Sequence, residues 1–103
     1  MSQTEDHWDE VAQIETEIMR HMIALGLDWH DEAAMTLLAQ ECKAYRPANA
    51  QTAYQSKDQR LVTKAQLFGL VSTMIQTMES AAREYRDVHG GEVWKAFAKH
   101  LYL

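Results

Sequence analysis

Apolar residues recur at three- and four-residue steps along most of the chain, the spacing of one face of an α-helix. The first such stripe is Trp8, Val11, Ile14 or Glu15, Ile18, Met22 and Leu25. It predicts an amphipathic helix that opens at Thr4, a good cap. Acidic residues fill its first turns, Arg20 and His21 sit near its end, and both placements suit the helix dipole. Gly26 followed by Leu27 has the form of a left-handed terminus with its hydrophobic contact.

A second helix is expected to start at Asp28 as its cap, with Asp31 and Glu32 in its first turn, and to run through Trp29, Ala33, Leu37 or Leu38, Cys42 and Tyr45. Pro47 stops it near Arg46. Residues 47–55 carry no charge and no clear period, so they read as the main connection, with room for a short helical turn.

Ser56 and Gln59 form a capping-box pattern, and from there a helical period continues to about Val88, ahead of Gly90 and Gly91. Leu61, Phe68, Ile75 and Ala82 repeat every seven residues, with Val71, Met78 and Tyr85 three places after the last three, a coiled-coil-like seam. Leu67, Leu70 and Met74 lie off that seam, which makes the apolar surface wider than one neighbour would cover. A continuous helix through Gly69 is expected, since one glycine costs only about 1 kcal/mol against alanine. A last helix, Glu92 to about Tyr102, is too short to hold itself and must dock through Trp94 and Phe97.

The fold class that follows is all-α: one domain over residues 1–103, a bundle of about four helices with one long helix. Composition agrees, because 47% of the residues are hydrophobic while four Gly and one Pro are too few to punctuate a sheet protein. Charge narrows the partners. A net charge of -5 disfavours nucleic acid, whose binding draws on Lys and Arg. Residues 1–42 hold ten acids and one base, residues 43–103 five acids and nine bases, so the two halves attract one another within a chain or between copies. The longest uncharged helical run, residues 65–78, is shorter than the roughly 20 apolar residues that cross a bilayer, and no membrane association is expected. A single cysteine, Cys42, and an acidic amino terminus fit a reducing, cytoplasmic setting.

Reactive groupings are few. His7, His21, His30, His89 and His100 include no pair four residues apart, and no Glu-x-x-His occurs. Glu17 with His21 supplies two ligands where three or four are needed, so no metal or other cofactor is expected. Asp28, His30, Asp31 and Glu32 resemble an acid–base group, although capping and dipole roles at a helix start account for the same residues. Trp8, Trp29, Tyr45 and Trp94 are candidates to line a ligand pocket, with core packing as the simpler role for most of them. The acid pairs Asp6 with Asp9 and Glu84 with Asp87 resemble those by which all-helical nucleotide pyrophosphatases of the MazG kind hold magnesium. The longer glutamate-rich motifs of that family are missing, so the resemblance covers those four acids alone.

With no catalytic residue to assign, the chain reads as a non-enzymatic protein-interaction module. Two apolar stripes on the long helix need two coverings, and the other segments offer mostly single stripes. A homodimer is therefore expected, with Phe68, Val71, Ile75 and Met78 facing the copy and Leu67, Leu70 and Met74 facing the chain's own bundle. Another protein partner, a small ligand in an aromatic and methionine-lined pocket, and magnesium-dependent nucleotide hydrolysis are the alternatives.

Overall fold

The computed structural model describes residues 3–86 and 88–102, with side chains from Trp8 onward. Five helices appear among them: α1 (Gln3–Ala24), α2 (Glu32–Ala44), α3 (Pro47–Ser56), α4 (Gln59–Arg83) and α5 (Glu92–Leu101). No residue among those described lies in a strand. The 25 residues of α4 rise roughly 37 Å at about 1.5 Å per residue, and they set the long dimension of a 43 × 28 × 22 Å body.

α1 lies along α4, α5 packs on α2 and touches α1, and α3 covers part of α4. Val11, Ile18, Met22 and Leu25 from α1 meet Met35, Leu38 and Ala39 from α2, Leu67, Phe68, Val71 and Met74 from α4, and Val93, Trp94, Phe97 and Ala98 from α5 in one core. Of the α1 stripe, Val11, Ile18, Met22 and Leu25 are thus buried, Ile14 is half-buried and Trp8 is 41% exposed. Its end also follows the sequence: Gly26 has φ +72°, and the Leu27 amide donates to the Met22 carbonyl at 2.9 Å. Arg60 of α4 donates to the Leu25 carbonyl at 3.0 Å, placing a cation at the negative end of α1.

Several boundaries differ from the sequence reading. α2 starts at Glu32 with Asp31 as its cap, whose carboxylate accepts from the Ala34 amide at 3.2 Å. Asp28 instead closes the preceding turn by accepting from the His30 amide at 2.9 Å. The segment expected as a connection contains α3. Pro47 occupies its first turn, where a missing N–H costs nothing, and the Asn49 side chain accepts from the Arg46 amide at 2.8 Å. The described residues therefore form five helices rather than about four. Finally, Lys57 takes a left-handed turn (φ 59°), and Asp58, not Ser56, caps α4 by accepting from the Arg60 and Leu61 amides.

α4 runs unbroken through Gly69, as expected, and stops at Arg83 rather than near Val88. Tyr85 takes φ 60° there, and the Arg86 amide donates to the Ala81 carbonyl at 2.9 Å, which closes the helix as glycine usually does. α5 then begins on a carboxylate from another helix. Glu15 of α1 accepts from the Gly91 amide at 2.6 Å and from the Trp94 amide at 2.9 Å. A Cβ on Gly91 would stand 3.0 Å from both Glu15 oxygens, and one on Gly90 would overlap the Trp94 side chain. Two glycines are what let α5 enter so close to α1. Trp94 (5% exposed) and Phe97 (0%) then anchor α5, in line with the sequence expectation.

Two outcomes test this account. Glu15→Ala removes a charged cap from two amides and should cost about 1–2 kcal/mol, a fall of several degrees in the thermal midpoint, whereas Glu10→Ala on the exposed side of α1 should be nearly silent. Tyr85→Gly should raise stability by about 0.5–1 kcal/mol in a denaturant titration, since the ring is 99% exposed and only its backbone is strained.

Candidate functional site

The outward side of α4 differs from an ordinary solvated helix face. Gln66, Gly69, Thr73 and Gln76 are exposed and follow one another at steps of three, four and three, with Ser72 beside them. No charged residue occurs between positions 65 and 78, although 24% of the chain is charged. A Cβ on Gly69 would meet nothing within 4 Å, so the helix backbone is approachable there.

A groove runs along each flank, and both include Gly69. One, of about 510 Å³, lies between Cys42, Tyr45 and Arg46 at the end of α2, Pro47 and Ala50 of α3, and Phe68, Ser72 and Ile75 of α4. The other, of about 480 Å³, lies between Glu17 and His21 of α1 and Gln66, Leu70 and Thr73 of α4.

The residues expected to face a second copy sit deeper than that. Phe68 is 5% exposed and Val71 1%, and Ile75 and Met78 are half-buried against the core. The premise that this stripe lacks a covering inside the chain is corrected, because Tyr45 stands edge-on to Phe68 at 4.8 Å and α3 closes over the neighbouring turns. Leu67 and Met74, expected to face the bundle, are fully buried, and Leu70 is half-buried. Phe68, Val71 and Ile75 thus line the first groove from below, and the surface another molecule would touch is formed by Gln66, Gly69, Ser72, Thr73 and Gln76. Periodicity among large apolar residues passes over these; the uncharged run was the signal that marks them.

The four aromatic candidates are dispersed. Tyr45 lines the first groove. Trp29 packs beside His30, with ring centroids 5.7 Å apart, Trp8 beside His89 at 6.5 Å, and Trp94 is buried beside Phe97 at 6.1 Å. Cys42 is half-buried in the groove wall, and burial pushes its thiol up, which disfavours the thiolate a nucleophile needs.

Histidine and carboxylate side chains meet along the seam between α2 and α5. His30 places Nε2 3.0 Å from Glu92 and Nδ1 3.2 Å from Asp28, while Glu32 takes Lys99 at 2.5 Å and His100 Nε2 at 3.0 Å. His100 Nδ1 lies 3.3 Å from the Thr36 hydroxyl, which donates to the Glu32 carbonyl. The bond to Glu92, aided by Asp28, holds the His30 imidazole above its ordinary value, and Lys99, then His100, hold Glu32 below the ordinary carboxylate value. Acidic first half and basic second half thus meet within the chain here and at Glu41 with Lys64, 3.0 Å apart.

Metal chemistry finds no support among the described residues, where no group of three or more His, Cys, Asp or Glu side chains could hold an ion. His21 turns Nδ1 to the Glu17 carbonyl at 2.6 Å, and the Glu17 carboxylate takes Arg20. Of the acid pairs, the Asp6 side chain and Asp87 lie outside the described residues; Glu84 pairs with Arg86 at 3.3 Å.

The seam has a pH signature. A group whose value rises on folding binds its proton more tightly in the folded chain, so its contribution is complete below the unfolded value of 6.5 and disappears as pH rises through the raised one. The thermal midpoint of His30→Gln should therefore fall below that of the parent chain at about pH 5.5 and coincide with it at about pH 9. A constant difference across that range would mean that His30 acts through packing.

No family model matches this chain, and neither does any curated protein or solved structure.

Proposed function

We propose that the protein is a non-enzymatic interaction module that pairs with a second copy of itself through the outward face of α4. The observation that carries this reading is the charge-free stretch 65–78, whose exposed residues form a low ridge between two grooves. A helix lying along this ridge would meet no charge on α4 between positions 65 and 78, approach closely at Gly69, and fill the grooves with its own flanking side chains, leaving Glu17, Arg46 and Glu79 at the groove walls. Phe68 and Val71 contribute from beneath as the apolar floor rather than as contact residues.

Substituting Val71 would unfold the protomer, because it is buried in the core. Gly69→Arg is the cleaner probe. Its side chain enters open space, and loss of a mid-helix glycine favours α4 by up to about 1 kcal/mol. Sedimentation at roughly 50 µM should show a dimer for the parent chain and a folded monomer for Gly69→Arg. A parent chain that sediments as a monomer removes the dimer.

A second reading rests on the first groove alone. Its volume of about 510 Å³ falls within the range of small-molecule sites, and the Tyr45 and Phe68 rings line it. An anilinonaphthalene sulfonate probe that binds one per chain, raises the thermal midpoint and is excluded by Ile75→Trp would favour a small-ligand module over the dimer.

A further inference from the structure

Resting on that dimer, we infer that the two α4 helices run antiparallel, with the two-fold axis passing between Gly69 and Thr73. The outward positions Val62, Gln66, Gly69, Thr73, Gln76, Ser80 and Arg83 form an unbroken alternation of four- and three-residue steps along α4. In an antiparallel pair centred between Gly69 and Thr73, each Gly69 faces a Thr73 and each Gln66 faces a Gln76. The gap over glycine is filled by a threonine methyl, and two primary amides meet as donor and acceptor. The Gln66 Oε1 is approached by His21 Nε2 at 3.3 Å, which leaves its amide N–H groups to donate to the copy.

The parallel alternative pairs each residue with itself. Gly69 would then face Gly69 across an unfilled gap, and Arg83 would face Arg83. Glu79, exposed at the edge of the same face, would lie near its own counterpart, and two helix dipoles would point the same way. Turning one helix around brings Arg83 instead to Gln59, next to the Asp58 cap of the copy, and sets Glu79 opposite Thr63, beside Lys64 of the copy rather than beside another Glu79. Both charge and side-chain volume select the antiparallel pair.

Cysteine pairing separates the two arrangements. In a Cys42→Ala background, chains carrying Gly69→Cys and chains carrying Thr73→Cys are oxidised separately and then as an exchanged mixture, with helicity and the sedimentation of the parent chain recorded alongside. The antiparallel pair brings position 69 of one chain to position 73 of the other, so the covalent dimer should appear in the mixture and be lost when Gly69→Cys is oxidised alone, because its two thiols are then offset by about 6 Å along the helices. A covalent dimer from Gly69→Cys alone would overturn the antiparallel assignment while leaving the dimer in place. A dimeric parent with no crosslink in any sample would overturn it too, by placing the contact elsewhere. A monomeric parent would remove the dimer and this inference together.

Discussion

A single carboxylate ties the two ends of the chain together. Glu15 sits in the middle of α1 and takes the amides of Gly91 and Trp94, so the first helix supplies the cap that the last helix lacks in its own sequence. That bond acts beside the buried anchors Trp94 and Phe97. It sets where α5 begins, and so which of its residues point inward; Val93, Trp94, Phe97 and Ala98 then close one side of the core. With α5 fixed, α2 has a surface to lie on, and Glu32 can reach Lys99 and His100. A side chain at Gly91 would crowd the Glu15 carboxylate, and one at Gly90 would overlap Trp94.

Much of this architecture can be read from the sequence, and the parts that cannot share a cause. Stripes of large apolar residues locate α1, the left-handed stop at Gly26, the continuity of α4 and the anchors of α5. α3 escapes the same search because the small residues buried where it packs on α4, such as Ala53 and Ala65, leave no periodic trace among large side chains. Missing α3 leaves one side of α4 without a cover, which is why Phe68 and Val71 look available to another chain when Tyr45 already stands against Phe68 and Val71 is buried in the core. The caps fail for a different reason. Asp28, Asp31, Ser56 and Asp58 are all competent cap residues, and the choice between neighbours is made by the turn geometry around each. The bond from Glu15 spans 76 residues and has no local signature at all.

The outward side of α4 is informative in another way. A solvated helix usually carries Lys and Glu on its free face, because charge keeps it soluble and separate. α4 concentrates its charges at the two ends, with Arg60 and Lys64 before the run and Glu79 and Arg83 after it, and leaves the four turns between them neutral. Arg60 and Lys64 are moreover engaged within the chain, by the Leu25 carbonyl and by Glu41. The neutral stretch coincides with the two grooves, so shape and charge single out the same place.

The docking of α2 on α5 also constrains the order in which the chain is completed. The apolar side of α2, with Met35, Leu38 and Ala39, finds its chief neighbour in a helix whose contacts with it span up to 68 residues of sequence. During synthesis that side is left uncovered until α5 has emerged, and Glu15 likewise waits for the amides it caps. Closure of the core therefore waits for α5. The residues of α5 are made after the ones they shield from association with other chains.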